Sequence, residues 1–269
     1  MELFGGLILA TETLKTPPVP RKKLRMDHVG MVFERDGKSI SVLEDINLDV
    51  SEGEFICLVG PSGAGKSTML NVMGGFLSPT SGSITIDGET VHGPDPRRIL
   101  VFQERGVFPW LTVEGNIGFG LSQLSSAERS QRIAHYVQMV RLQGFEQTYP
   151  SDLSGGMKQR LQVARALAVN PDILYLDEPF GALDSVTRLI MRGELLRIWQ
   201  TERRTIIFVT HDIDEAVQLA DRVVVLSSRP AKIEDVLTID LPRPRNISAP
   251  RYLELRDELL SKIGLAFTV

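Results

Sequence analysis

The segment Gly60-Pro-Ser-Gly-Ala-Gly65-Lys66-Ser67-Thr68 decides the fold of this chain, because it fills the pattern G-x-x-x-x-G-K-[ST]. A short apolar run ending at Val59 precedes it and a helical pattern begins near Lys66, so a buried strand, a tight loop and a helix are predicted in succession. Glycines without Cβ atoms let the backbone wrap a phosphate chain, and the helix presents its positive end to the same anion. We therefore predict that this segment, the phosphate loop, binds the phosphates of a nucleotide.

Individual side chains of the phosphate loop have predicted roles. Lys66 supplies a point charge for the outer phosphates, the Ser67 hydroxyl suits coordination of Mg²⁺, and Thr68 can add a hydroxyl or pack. Lys66 is therefore a candidate catalytic residue as well. The candidate nucleotide-binding residues of the loop are Gly60, Pro61, Ser62, Gly63, Ala64, Gly65, Lys66, Ser67 and Thr68.

Two carboxylates follow the apolar run Ile173-Leu-Tyr-Leu. Asp177 closes this strand and is held at the carboxyl edge of the sheet, where open α/β sheets bind their ligands. We expect Asp177 to contact Mg²⁺ indirectly, either through a water molecule or through a hydrogen bond to a direct ligand of the ion. Glu178 lies one residue further on, where a carboxylate can polarise an attacking water and contribute on the order of 10²–10⁴ in rate. The alternative is a pair of solvated loop carboxylates.

Two further polar residues follow apolar strands. His211 comes after Thr205-Ile-Ile-Phe-Val-Thr210, and Gln103 comes after Arg98-Ile-Leu-Val-Phe102. A histidine at a strand end is more often a structural hydrogen-bonding residue, but its place at the same sheet edge as Glu178 favours a catalytic role. Gln103 is released at a strand end in the same way and is able to reach a metal ion or water.

The composition is that of an ordinary globular protein. The 269 residues are 42% hydrophobic and 24% charged, and the net charge of −4 gives no reason to expect a nucleic-acid partner. Cys57 is the only cysteine, so no internal disulfide is possible, and it is interpreted as a buried apolar residue rather than a reactive thiol. No apolar run approaches the roughly 18 residues of a membrane-spanning helix.

The apolar pattern predicts an α/β fold with a mainly parallel central sheet. Met26 to about Val50 and residues 82–91 alternate as antiparallel strands, the latter around a hairpin turn at Asp87-Gly88. Residues 113–170 are predicted to be helical, after which buried strands alternate with helices. A helical apolar stripe near the end of the chain consists of Leu253, Leu255, Leu259, Leu260 and Ile263.

The segment Leu153-Ser-Gly-Gly-Met-Lys-Gln-Arg160 lies between the phosphate loop and the two carboxylates, and this order resembles the ATP-binding subunit of ABC transporters. The resemblance implies ATP and Mg²⁺ as cofactors. It also implies a P-loop NTPase fold, with an antiparallel β subdomain and an inserted helical subdomain that carries the signature. Its residue roles are adenine stacking by Phe33, the Q-loop glutamine Gln103, the signature Ser154, Gly155 and Gly156, the catalytic carboxylate Glu178, the D-loop ending in Asp184, and the switch histidine His211.

In that family the signature of one subunit contacts the γ-phosphate held by its partner, so two copies enclose two ATP molecules. The sequence is compatible with this arrangement, because Gly155 and Gly156 open a helix and Ser154 adds a donor. Phe33 is equally compatible with a position in the core of its strand.

A finer resemblance is to the nitrate, aliphatic sulfonate and taurine importers, through Phe102–Val113, Leu226-Ser-Ser-Arg-Pro230 and Asp240–Arg245. It implies an ATPase subunit that works as a dimer, either with itself or with a related subunit. Its further partners are an integral membrane permease and, indirectly, a periplasmic or lipid-anchored solute-binding protein. The expected location is the cytoplasmic face of the cell membrane. The alternatives are an exporter subunit and a soluble ABC ATPase that acts away from membranes.

The segment that follows Gln103 bears on both permease and solute. Phe108, Pro109 and Trp110 are the candidate surface for the permease, and the alternative is that Trp110 anchors the helical subdomain in the core. Glu104-Arg105-Gly106 departs from the commoner histidine-containing version of this loop, so the solute is not assigned.

The predicted domain boundaries follow from these segments. Residues 1–25 are a flexible extension, in which residues 3–10 resemble a secretory signal but lack a preceding positive charge. Residues 26–245 form the ATPase domain with a helical subdomain at about 104–170, and residues 246–269 form a helical tail.

Overall fold

The computed structural model describes residues 21–102, 106–181 and 183–264. Its elements in chain order are β1 (Lys22–Arg35), β2 (Lys38–Ser51), β3 (Phe55–Val59), α1 (Lys66–Gly74), β4 (Ser81–Ile86), β5 (Glu89–Thr90), β6 (Arg98–Val101), α2 (Val113–Gly118), α3 (Ser126–Met139), a short 3-10 helix (Pro150–Asp152), α4 (Gly155–Ala168), β7 (Ile173–Asp177), α5 (Ser185–Glu202), β8 (Thr205–Val209), α6 (Ile213–Leu219), β9 (Arg222–Leu226), β10 (Ile233–Thr238) and α7 (Pro250–Lys262).

A six-stranded sheet in the order β10-β9-β3-β8-β7-β6 forms the centre of the molecule. All neighbouring strands in it are parallel except β9 and β10. Every residue of β3, β7 and β8 is buried, which explains why these strands are continuous apolar runs in the sequence. The predicted mainly parallel sheet is confirmed, and the segments that follow β3, β7 and β8 meet at its carboxyl edge.

The second sheet is antiparallel, with the order β2-β1-β4-β5. Asp87 and Gly88 have φ angles of 53° and 84°, and this pair of left-handed residues makes the predicted tight hairpin turn. β1 begins at Lys22, and Leu24 near its start is buried and pairs with Ile86 of β4. The first residues of this strand therefore belong to the sheet and not to the predicted extension, whose residues 1–20 lie outside the described ranges.

Helices α2, α3 and α4 are inserted between β6 and β7, as predicted for the helical subdomain. The capping box is present at the start of α3: Ser125 Oγ accepts from the Glu128 N–H at 3.3 Å, and the Glu128 carboxylate accepts from the Ser125 N–H at 3.1 Å. Val137 of α3 and Leu161 of α4 are buried in the same apolar core. This packing joins the inserted helices to one face of the central sheet.

Alternate residues of β3 point into two cores on opposite faces of the central sheet. Ile56 and Leu58 pack with α1 and the antiparallel sheet, whereas Phe55, Cys57 and Val59 pack on the other face. Burial raises the pKa of the Cys57 thiol well above its ordinary value, in agreement with its interpretation as an apolar core residue.

The stripe predicted for the end of the chain is only partly correct. In α7 the buried residues are Tyr252, Leu255 and Leu259, whereas Leu253 is exposed. Residues 252, 255 and 259 share one face at helical spacing, and the Tyr252 hydroxyl donates to Asp214 Oδ1 of α6 at 2.8 Å. The helix therefore docks through a face centred on Tyr252. None of the described helices is long and apolar enough to cross a bilayer.

Candidate nucleotide site

The phosphate loop has the backbone conformation that its glycines allow. Gly60, Gly63 and Gly65 have φ angles of 153°, 74° and 116°, in the region that residues with a Cβ rarely adopt. A Cβ at Gly60 would lie 2.7 Å from the Leu226 carbonyl oxygen, and one at Gly65 would lie 2.8 Å from Val42 Cγ1. Close packing on the end of β9 and on Val42 of β2 therefore requires glycine at these two positions. Helix α1 begins at Lys66, directly after the loop.

A cavity of about 460 Å³ lies over the phosphate loop. Its lining includes one residue after β7, Glu178, one after β8, His211, and one after β9, Arg229. The loop residues that line it are Ser62, Gly63, Gly65, Lys66, Ser67 and Thr68. The structure thus brings the predicted loop, carboxylate and histidine together, because their strands are neighbours in the parallel sheet.

Lys66 is folded against the phosphate loop. Its Nζ donates to the carbonyl oxygens of Gly60 at 2.8 Å and Pro61 at 2.9 Å. Burial lowers the pKa of Lys66, while the nearby carboxylates of Glu178 and Asp177 oppose that shift. The ammonium group is therefore a partly desolvated cation at the wall of an otherwise polar cavity, which strengthens its attraction for phosphate oxygens.

Asp177 and Ser67 place two hydrogen-bonded side-chain oxygens at the end of β7 and the start of α1. The Ser67 hydroxyl hydrogen-bonds to Asp177, and burial raises the pKa of this carboxyl group despite that bond. Mg²⁺ usually keeps several waters and is held by one or two carboxylates together with substrate phosphates. Within the described ranges no cluster of three or more His, Cys, Asp or Glu side chains could hold a metal alone. The pair therefore fits a Mg²⁺ ion that is bound jointly with a nucleotide.

Glu178 and His211 contact each other across the cavity. Glu178 Oε2 lies 3.1 Å from His211 Nδ1, with the carboxylate mostly buried at 19% exposure and the imidazole open at 68%. The Glu178 backbone is in the left-handed region with φ 46°, and its N–H donates to the Val209 carbonyl at 3.0 Å. This turn directs the carboxylate away from the strand and into the cavity, where a water between it and a terminal phosphate would be polarised.

A buried polar network fixes the segment that carries His211. The Thr210 hydroxyl donates to Glu215 Oε2 at 2.6 Å and accepts from the Asp212 N–H at 3.0 Å. The Arg192 guanidinium of α5 in turn donates to Asp212 at 2.6 Å and to Glu215 at 2.8 Å. His211 is therefore an exposed side chain on a backbone that is held from both sides. Sequence reasoning singled out His211 but not this support, in which Arg192 comes from a helix about 20 residues earlier in the chain.

The signature residues lie at the start of α4 and do not line the cavity. Ser154 caps this helix, with its Oγ accepting from the Met157 N–H at 3.2 Å. A Cβ at Gly155 would meet nothing within 4 Å, so the backbone of the signature is open on that side. The N-terminus of α4 is thus an exposed group of N–H donors, available to an anion that is not bound by the phosphate loop of the same chain.

Two other sequence candidates, Phe33 and Asp184, lie away from the cavity, and a third falls outside the described residues. Phe33 in β1 is 36% exposed, which agrees less well with the strand-core alternative than with a role at the surface. Asp184 caps α5, accepting from the Thr187 N–H at 2.9 Å, and this hydrogen bond lowers the pKa of the carboxyl group. Gln103, predicted to be catalytic and to bind the metal, lies outside the described residues.

Trp110 does not anchor the helical subdomain in the core, because it is 67% exposed. It stacks at 5.3 Å on Phe108, whose ring lies 4.5 Å from that of Phe119. The result is an exposed aromatic surface formed by Phe108, Pro109, Trp110 and Phe119, which we call the aromatic loop surface. Burial of Trp110 in the core was the alternative prediction, and it is wrong, because the amide of Asn116 on α2 holds the neighbouring backbone while the Trp110 side chain faces solvent.

Arg229 is the cavity residue that sequence reasoning missed as a site residue. Its Nη2 donates to the Gly63 carbonyl at 2.8 Å. It occurs in Leu226-Ser-Ser-Arg-Pro230, directly after an apolar strand, so the rule that identified His211 and Gln103 contained the signal.

Comparisons with known proteins agree with this geometry. The family model described as ABC transporter matches residues 43–181. The aliphatic sulfonates import ATP-binding protein SsuB of Bacillus cereus is 44% identical over 237 residues, covering 88% of this chain and 94% of that protein. The nitrate import ATP-binding protein NrtD of Synechococcus elongatus is 45% identical over 246 residues, covering 88% and 90%.

A solved structure is similar as well. The ATP-binding cassette MJ0796, in a dimeric post-hydrolysis state with ADP and Pi bound, superposes with a TM-score of 0.73 at 32% identity. The match covers 80% of this chain and 98% of that one.

Proposed function

Because the chain belongs to the ABC transporter family of ATP-binding proteins and is an ATPase, we propose that it is the energy-coupling subunit of an importer for a small anion. The proposed solute belongs to the class of nitrate, aliphatic sulfonates and taurine. The relatives named for sulfonate and nitrate import support this class, since each matches nearly the whole chain. The observation that carries the catalytic part is the convergence of Lys66, Ser67, Glu178 and His211 on one cavity.

The chemistry assigned to these residues follows from their positions. The phosphate loop and Lys66 bind the triphosphate, Ser67 and Asp177 hold Mg²⁺, and the ion neutralises charge on the phosphates when it is bound. Glu178 accepts the proton of the attacking water, with His211 at 3.1 Å fixing the carboxylate and reaching towards the terminal phosphate. Gln103 completes the metal and water contacts in this proposal.

Two copies of the chain form the complete site. Ser154, Gly155 and Gly156 of one copy contact the γ-phosphate held by the other, and Phe33 stacks on the adenine. The separation of the signature from the cavity of its own chain supports this arrangement, as does the dimeric state described for the similar cassette. In this proposal Asp184, the cap of α5, lies at the dimer interface. ATP closes the dimer, and hydrolysis reopens it.

The aromatic loop surface receives the permease, which supplies the path through the membrane. Trp110 and Phe119 are exposed beside the half-buried Phe108, and a contiguous apolar patch at a surface is typical of a binding site. The chain is therefore peripheral, on the cytoplasmic face of the membrane, and a solute-binding protein acts on it only through the permease.

The experiment is to isolate the chain with its permease, reconstitute the complex in lipid vesicles, and measure ATP turnover with nitrate, alkanesulfonates and taurine. We expect one of these anions, with its binding protein, to stimulate turnover and accumulate in the vesicles. Trp110→Ala should abolish uptake and stimulation while basal hydrolysis remains. ATP-driven export of the solute would contradict the assignment as an importer. Loss of basal ATP hydrolysis in Trp110→Ala would contradict docking of the permease at this surface.

A further inference from the structure

Arg229 lies in the turn between β9 and β10 and reaches over the phosphate loop. Its Nη2 donates to the Gly63 carbonyl at 2.8 Å, and its side chain lines the same cavity as Lys66 and His211. The sheet order places β3 between β9 and β8. Arg229 and His211 therefore reach the cavity from opposite sides of the phosphate loop.

The turn that carries Arg229 is anchored at both of its ends. Ser227 N–H donates to the Lys232 carbonyl at 3.0 Å, and Ser227 Oγ accepts from the Lys232 N–H at 2.9 Å. Ala231 is fully buried and bridges to β2, where its N–H donates to the Val42 carbonyl at 2.8 Å. Arg229 itself is exposed, so an ordered turn presents a long cationic side chain.

The segments on either side of the Arg229 turn, the end of β9 and the part of β2 bonded to Ala231, pack directly on the glycines of the phosphate loop. A Cβ at Gly60 would lie 2.7 Å from the Leu226 carbonyl, and one at Gly65 would lie 2.8 Å from Val42. Leu226 precedes the Arg229 turn, and the Val42 carbonyl accepts the hydrogen bond from the Ala231 N–H. The phosphate loop is therefore held against one structural unit, and Arg229 is the part of that unit that enters the cavity.

We propose that Arg229 is a further nucleotide-binding residue, which braces the phosphate loop through the Gly63 carbonyl and adds positive charge for the triphosphate. A guanidinium carries five N–H donors in a planar fork that matches phosphate oxygens, so the Gly63 bond uses one part of its capacity. Together with Lys66 it places two cations around the site of a strongly anionic ligand. This inference rests on the proposed binding of ATP in the cavity.

The test compares four versions of the purified full-length chain: the wild type, Arg229→Gln, Arg229→Lys, and Arg97→Gln as a matched control. Arg97 is an exposed arginine whose partner is Asp95, and it lies outside the cavity. We expect Arg229→Gln to weaken MgATP binding by about fivefold to tenfold, the effect of losing one partly screened charge-assisted contact. Arg229→Lys should recover part of that loss, and Arg97→Gln should bind as the wild type does.

Two readouts separate a role in binding from a role in folding. The KM for ATP should rise in Arg229→Gln with kcat changed less, and the melting temperature without nucleotide should stay at the wild-type value. Equal MgATP affinity in Arg229→Gln and the wild type would overturn the inference and leave the proposed function intact. A loss of affinity with a lower melting temperature and no recovery in Arg229→Lys would also overturn it. A wild-type chain that binds no MgATP would overturn both.

Discussion

Replacing Asn116 by alanine tests how the aromatic loop surface is held in place. Asn116 lies on α2 and is fully buried, and its amide is saturated by the backbone of the preceding segment. Oδ1 accepts from the Phe108 N–H at 2.7 Å, and Nδ2 donates to the carbonyl oxygens of Phe108, Leu111 and Thr112 at 3.0, 2.9 and 3.0 Å. One side chain thus closes the turn that presents Phe108 and Trp110.

The magnitude follows from these four bonds. A neutral hydrogen bond contributes about 1 kcal/mol net, and a buried group left without a partner costs roughly 1–3 kcal/mol. Water can reach part of this turn at the surface, so we expect Asn116→Ala to lower the free energy of unfolding by about 3 kcal/mol. That loss corresponds to a factor of about 150 in the unfolding equilibrium. Asn116→Asp should cost more, because it keeps the acceptor but buries a charge that faces three carbonyl oxygens.

The assay is urea unfolding followed by circular dichroism and by tryptophan fluorescence. The control is Asn47→Ala, because the exposed Asn47 also bonds to backbone, accepting from the His28 N–H at 2.8 Å and donating to the Asp45 carbonyl at 3.1 Å. Solvent replaces those partners, so the control should lose less than about 1 kcal/mol. If Asn116→Ala loses no more than Asn47→Ala, the turn is not held by this amide and the reasoning is refuted.

Three other predictions concern the candidate site. Glu178→Gln should bind MgATP normally, lose on the order of 10²–10⁴ in turnover, and accumulate as a nucleotide-bound dimer in size-exclusion chromatography; near-normal turnover would remove Glu178 from the role of base. Asp177 has a raised pKa, so its folded form binds more protons than the unfolded chain, and stability falls as pH rises through the interval between the two pKa values. Asp177→Asn should remove that fall in thermal scans without nucleotide while weakening Mg²⁺-dependent ATP binding, and an unchanged pH profile would contradict it. Gly60→Ala should lower the melting temperature and abolish nucleotide binding, because its Cβ would meet a carbonyl oxygen at 2.7 Å. Gly63→Ala should lower the free energy of unfolding by only about 1 kcal/mol, the cost of its positive φ, because no atom lies within 4 Å of its Cβ. Equal losses of stability in the two variants would show that close packing is not the cause.

The central part of the fold was predictable because its signals are local. A five-residue apolar strand, a glycine-rich turn and a helix start are contiguous at residues 55–66, and each has a distinct pattern. The same pattern places Asp177 and His211 at the ends of buried strands, and parallel strands bring such ends to one edge. Chemistry could therefore be assigned to that edge before the strand order was known, although the individual roles remain predictions.

The parts that were not predictable depend on contacts between distant segments. The strand-end pattern marks Arg229 as a polar residue after an apolar strand, but it reaches this cavity because β9 lies beside β3, and that pairing joins strands more than 160 residues apart in sequence (Ile56 with Arg222, for example). Trp110 is exposed in a turn that the buried Asn116 amide closes through hydrogen bonds to backbone carbonyls, and a periodicity of apolar residues does not report such bonds. The start of β1 was placed too late, since its basic residues resemble an extension until their pairing with β2 and β4 is seen.

Helix α4 connects the parts of the candidate site that the chain order separates. Gln159 Nε2 donates to the Glu178 carbonyl at 3.4 Å, and Gln162 Nε2 donates to the Phe102 carbonyl at 2.8 Å. Arg165 lies with its Cζ 4.3 Å from the centre of the Phe108 ring. These three side chains are spaced by three residues, so they follow one side of the helix from the signature towards its end. A rigid movement of α4 that shifts the signature must therefore change the contacts at the catalytic turn, at the end of β6 and at the aromatic loop surface together, because one helix carries all of them.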